Sequence, residues 1–166
     1  MIRLALLLAV LTATGALAAE PAPIVGAWAL DSGVRVYPDG HTTPLDFITD
    51  SAHATGTIVY DASGTMAVQI AGGSRPVLPP APPPFVESPT QARVVLGSYY
   101  AYFGRWTLDV AHGLVRHLIA QSLHPSETGQ VYSRHYVIEG DRLTLETQNR
   151  DPATQTFNRL VWHRIK

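Results

Sequence analysis

Residues 114–123 constrain the fold more than any other segment. Val115, His117, Ile119 and Gln121 fall on one face of a strand there, and Leu114, Arg116, Leu118 and Ala120 on the other. Successive side chains of a strand point to opposite sides, so bulky groups on both faces need cover on both. A small closed barrel supplies that cover and leaves an interior able to hold a ligand. The segments 100–108, 129–139, 142–147 and 156–164 repeat the pattern of apolar, aromatic and basic alternation, separated by turns at 109–113, 124–128, 140–141 and 150–152. The two-residue Gly140-Asp141 connection predicts a tight hairpin that pairs Ile138 with Leu143 or a near neighbour.

The first half reads in the same way. Strands are expected at 24–30, with Trp28 as its large buried residue, and at 34–37, with Asp31-Ser32-Gly33 as an interruption between them. A turn at Pro38-Asp39-Gly40 follows, and residues 41–54 are polar and irregular. Residues 55–60 and 65–70 form a hairpin whose turn ends on Gly64, a position that suits a left-handed residue. Residues 71–89 break the pattern with Gly72-Gly73 and a run of prolines, which cannot donate to a ladder and favour extended, unpaired backbone. A surface loop, a lid over the barrel mouth and a partner-recognition segment are all compatible with that composition. A short helix is expected over 88–99, with Ala92, Val95 and Leu96 on one side. Eight to ten strands with short connections predict an all-β, antiparallel up-and-down barrel of 8–10 strands with one short helix.

Residues 1–18 read as a cleaved export signal, with Arg3, an apolar run from Leu4 to Leu11, and Ala16-Leu17-Ala18 before the cut. The run is shorter than the roughly 20 residues a spanning helix needs, so no membrane span is expected. The mature domain is then 19–166, and a periplasmic or secreted location is expected. The chain has no cysteine and a formal charge of −1. Stability must come from packing without disulfides, and the charge gives no reason to expect nucleic-acid binding.

Gly26-Ala27-Trp28 is similar to the Gly-x-Trp opening of the calycin barrels. The chain as a whole resembles the bacterial and fungal lipocalin-like domain proteins. The resemblance continues through Pro38-Asp39-Gly40, Gly56-Thr57-Ile58-Val59-Tyr60-Asp61 with Gly64 and Met66, and Tyr102-Phe103-Gly104-Arg105-Trp106 with Asp109. It then runs through Val115-x-His117, Ser122-x-x-Pro125, Gly129, Arg134-x-Tyr136, Gly140-Asp141-Arg142-Leu143-x-Leu145 and Leu160-Val161-Trp162-x-Arg164. It implies a calycin-type barrel in which the first-strand tryptophan, Trp28, packs under a basic residue of the last strand, Arg164. An indole face receives a guanidinium, whose head can cap nearby carbonyls. Trp162 shares the Arg164 face and can join that closure.

His117 is the leading candidate for a functional residue, because it sits mid-strand on an otherwise apolar face. A polar group there needs a partner. Three roles remain open for it: a core histidine bonded to a tyrosine, serine or backbone group; a ligand contact; or proton transfer. Arg134, Tyr132 and Tyr136 share a face of the next strand. If that face points inward beside His117, the barrel holds a cationic spot framed by phenols, suited to a carboxylate or phenolate on an apolar ligand. If it points outward, Arg134 stacks on surface tyrosines. Tyr60, Met66, Tyr100, Tyr102 and Arg159 are further pocket candidates by alternation. The histidines are dispersed, so no metal site is expected, and no cofactor is implied.

Three functions compete. The first is an exported barrel that binds a small, mainly apolar ligand with one acidic group. The second is a stability or protein-interaction module with a side-chain-filled barrel. The third is an isomerase or cyclase that uses His117 and Arg134 on a ligand held in the barrel. An inward cavity lined by His117 and Arg134 favours the first and third.

Overall fold

The computed structural model describes residues 22–78 and 88–166. The expected leader at 1–18 and the centre of the Pro-rich loop lie outside the described residues. The strands are β1 (Gly26–Val36), β2 (Thr42–Pro44), β3 (Thr55–Tyr60), β4 (Thr65–Ala71), β5 (Tyr99–Asp109), β6 (Leu114–Ser122), β7 (Val131–Glu139), β8 (Arg142–Thr147) and β9 (Phe157–Arg164), with one helix, α1 (Pro89–Gly97), before β5. All pair antiparallel in sequence order, and β9 returns to β1 to close an eight-stranded barrel; β2 adds a short ribbon beside the far half of β1. Closure leaves the main strands without a free edge.

Local chemistry explains the joints. Ile138 pairs with Leu143 across the Gly140-Asp141 turn, as the spacing predicts. Gly64 closes the β3–β4 turn at φ 84°, a conformation open to glycine. Ser88 and Gln91 cap α1 reciprocally, with Pro89 in its first turn.

Two expectations change. The break at Asp31-Ser32-Gly33 is a bulge inside one continuous strand: Leu30 pairs with Trp162 and Ser32 with Val161, leaving Asp31 as the extra residue. The stretch 41–54, read as irregular, contributes β2 and buries Leu45, Ile48 and Ser51. Leu45 packs toward Gly33 and Leu160, and the Ser51 hydroxyl donates to the Leu45 carbonyl at 2.7 Å.

A second bulge lies between β5 and β6, where Phe103 pairs with Gln121 but Gly104 with Ile119. A Cβ on Gly104 would overlap the Leu118 carbonyl oxygen and press against the Ala120 nitrogen. Gly104→Ala must therefore push the paired backbones of β5 and β6 apart. We expect it to cost about 1–3 kcal/mol in urea unfolding, with Gly113→Ala, which meets no neighbour but has a left-handed φ, costing less.

The barrel is filled over one half and hollow over the other. At the closed end Trp28 is fully buried, and its indole N–H donates to the Ile24 carbonyl at 2.9 Å. Arg164 lies over the Trp28 ring, 4.0 Å from its centre, and donates to the Val25 and Pro23 carbonyls at 2.8 and 2.6 Å. Trp106, Tyr60 and Met66 pack above this plug. The other end carries the loops after β1, β4, β6 and β8, and it opens into a cavity.

Candidate functional site

The cavity encloses about 360 Å³, within the range of small-molecule sites, about 300–1,000 Å³. Inward residues of four strands form its apolar wall: Ile58, Val68, Ile70, Leu145, Leu160 and Trp162. Phe47, from the segment between β2 and β3, covers one side of the mouth and tilts onto Tyr100 with ring centres 5.0 Å apart. Two residues beyond Phe47, the backbone is tied to the end of α1 by Thr49 N–H donating to the Gly97 carbonyl at 2.7 Å.

Polar groups also line the cavity. Tyr100 and Tyr102 on β5, Tyr132 and Arg134 on β7, and Glu127 on the turn between β6 and β7 all line it. The Arg134 guanidinium lies beside the Tyr102 hydroxyl and 5.6 Å from the centre of the Tyr132 ring. No carboxylate among the described residues forms an ion pair with it. Two buried polar atoms of wall residues also lack partners among the described residues, the Trp162 indole nitrogen and the Asn158 side-chain oxygen.

His117 sits beneath the cavity rather than in its wall. It is fully buried, with Tyr60 Oη 2.8 Å from Nε2 and Tyr102 Oη 2.8 Å from Nδ1. Burial holds its pKa well below the ordinary histidine range, and the Arg134 charge pushes the same way. Burial also raises Tyr60 and Tyr102 above the usual phenol range. The ring is therefore neutral, and a neutral imidazole donates from one nitrogen and accepts at the other. The guanidinium beside Tyr102 can only donate, which favours a Tyr102 hydrogen turned toward Nδ1 and an Nε2–H donating to Tyr60. The Tyr60–His117–Tyr102 chain fixes the rotamer of Tyr102, which faces the cavity and stands next to Arg134. Nearer the mouth, Tyr100 is raised by burial and by its Tyr102 and Glu127 neighbours, and Tyr132 is pushed up to about 12 by burial and by Glu127.

The structure thus brings together Arg134, Tyr132, Tyr102 and Tyr100 at the cavity, with His117 and Tyr60 directly behind them. Met66 is buried in the filled half, and Tyr136 packs against the core below Arg134; neither lines the cavity. Arg159 stands on the outer face, its Nε 2.6 Å from Glu146, because Asn158, Leu160 and Trp162 take the inward positions of β9. Trp162 joins the cavity wall. The reading of the sequence missed Phe47 and Glu127, both in segments taken as loop and turn. The only signal for Phe47 was three apolar residues, Leu45, Phe47 and Ile48, inside a polar stretch.

A closed antiparallel barrel with a plugged end and a half-open interior defines a lipocalin-type architecture. The lipocalin-like domain family matches residues 25–165, and the chain belongs to that family. No curated protein and no solved structure matches it significantly.

Proposed function

We propose that this barrel binds a small, mainly apolar molecule with one acidic group, held at Arg134. The observation that carries this reading is a cavity-lining guanidinium that forms no ion pair among the described residues, set between three tyrosines and an aliphatic wall. Desolvating a charge that has no ion pair is unfavourable even when it is only partly buried, and an anionic ligand would relieve that cost through charge-assisted hydrogen bonds. The tyrosines offer hydroxyls and ring faces to the body of such a ligand. The leader-like segment at 1–18 supports an exported setting, periplasmic or secreted. A proton-transfer role for His117 is less well supported, because Tyr102 stands between it and the cavity.

Calorimetric titration with dodecanoic acid and with naphthoic acid, each beside its neutral amide, tests the reading. The acids are expected to bind more tightly than the amides. Arg134→Met, which keeps an apolar side chain in place, is expected to weaken acid binding about tenfold to a hundredfold, matching about 1.5–3 kcal/mol for hydrogen bonds to a charged group. Amide binding should change little. Equal affinity for acid and amide, or an Arg134→Met protein that binds acids as well as the wild type, would overturn the proposal.

A further inference from the structure

Arg134 shares its cavity with a charge of the opposite sign. Glu127 lies on the short turn Pro125–Glu127 between β6 and β7 and faces the same space from the mouth. Among the described residues it has no cationic partner either. Its hydrogen bonds come from neutral hydroxyls. Ser122 donates to Oε2 at 2.6 Å, and the Tyr100 hydroxyl lies 3.2 Å from both oxygens. An ionised carboxylate offers about four acceptor sites, so Oε1 keeps capacity for a further donor.

The two groups form no ion pair with each other, and Tyr132 stands between them. Tyr132 lies with its ring near Arg134 and its hydroxyl near Glu127. Tyr100 holds Glu127 from the other side. A loop peg for Ser122 and Tyr100 would need only a carbonyl oxygen, which a glutamine also supplies. A carboxylate adds a negative charge that forms no ion pair among the described residues.

We infer that the ligand is amphoteric: an acid that meets Arg134, an apolar spacer against the aliphatic wall, and an amine that meets Glu127 at the mouth. The inference rests on the binding role proposed above and adds the second pole. Opposite charges held apart in the free protein are pre-organised for a ligand carrying their complements at a matching distance, which lowers the ordering cost of binding. They also set specificity, since a plain fatty acid leaves Glu127 uncompensated and a plain amine leaves Arg134 so.

The experiment is calorimetric titration of the full chain with aminohexanoic, aminooctanoic and aminododecanoic acids, each with a terminal amine. The alkanoic acid and the alkylamine of each length serve as single-pole controls. One amino acid of matching length is expected to bind about tenfold more tightly, or better, than the alkanoic acid of the same length. Glu127→Gln should remove that advantage, so that the amino acid binds no more tightly than the alkanoic acid of the same length, and Arg134→Met should weaken both. If the amine gives no gain at any length, or the gain survives in Glu127→Gln, this inference is overturned while acid binding at Arg134 stands. If none of the acids binds, both readings fall. Should Glu127→Gln prove unstable, the presence or absence of a length optimum in the wild type decides.

Discussion

Trp28→Ala is expected to lower the free energy of unfolding by about 3–5 kcal/mol, the range for removing a fully buried large aromatic side chain. That is a large fraction of the roughly 5–15 kcal/mol that holds a domain of this size together. The cost has identifiable sources. The indole is completely buried in the closed end and donates to the Ile24 carbonyl. Arg164 loses the ring it covers, although its bonds to Pro23 and Val25 remain. Trp28→Phe keeps a ring under the guanidinium and loses the N–H, so it should cost clearly less. Chemical unfolding of both variants checks this; equal losses would mean that the ring and its cation contact contribute little.

His117→Ala carries a comparable expected loss, about 3–5 kcal/mol. It opens a cavity and strands the Tyr60 and Tyr102 hydroxyls, each at about 1–3 kcal/mol for an unsatisfied buried group. His117→Gln, which still offers a donor and an acceptor, should cost less. The histidine also makes stability depend on pH in a defined direction. Its folded-state pKa lies well below the ordinary value of about 6.5. Below that pH the unfolded chain takes up a proton that the folded chain refuses. The contribution is therefore complete above about pH 6.5 and is lost as pH falls toward the folded pKa, with a limiting slope of about 1.4 kcal/mol per pH unit. Asp39, Asp61 and Asp109, held below the usual carboxylate range by their hydrogen bonds, add their own losses only at lower pH. Urea unfolding from pH 7 to 5 should show the decline in the wild type and a flatter profile in His117→Gln. Parallel profiles would contradict the assignment.

Strand alternation made the second half of the barrel legible. Val115 and Ile119 flank His117 and carry it inward, and Leu143 and Leu145 do the same for β8. Alternation also separates Arg159 from the face of Leu160 and Trp162, so its outward position was available in the same pattern. Other features depend on contacts distant in sequence. Asp31-Ser32-Gly33 has turn chemistry, yet pairing with β9 holds that backbone extended through a bulge. Leu45 and Ile48 become core only because the closed barrel places an apolar rim beneath them. Glu127 sits in a turn whose residues predict its bend and say nothing about what its carboxylate faces. The depth of His117, beneath the cavity rather than in it, follows from the lengths of Tyr102 and Tyr60, which reach it from β5 and β3.

The central claim is that the half-open interior holds a small anionic molecule at Arg134. Native mass spectrometry of the protein, purified gently from the cells that make it, tests this most directly. The account predicts a bound species of defined mass that carries an acidic group, retained by the wild type and lost from Arg134→Met. A wild-type barrel that is empty and also fails to take up added acids, or a species retained equally by both proteins, would contradict it.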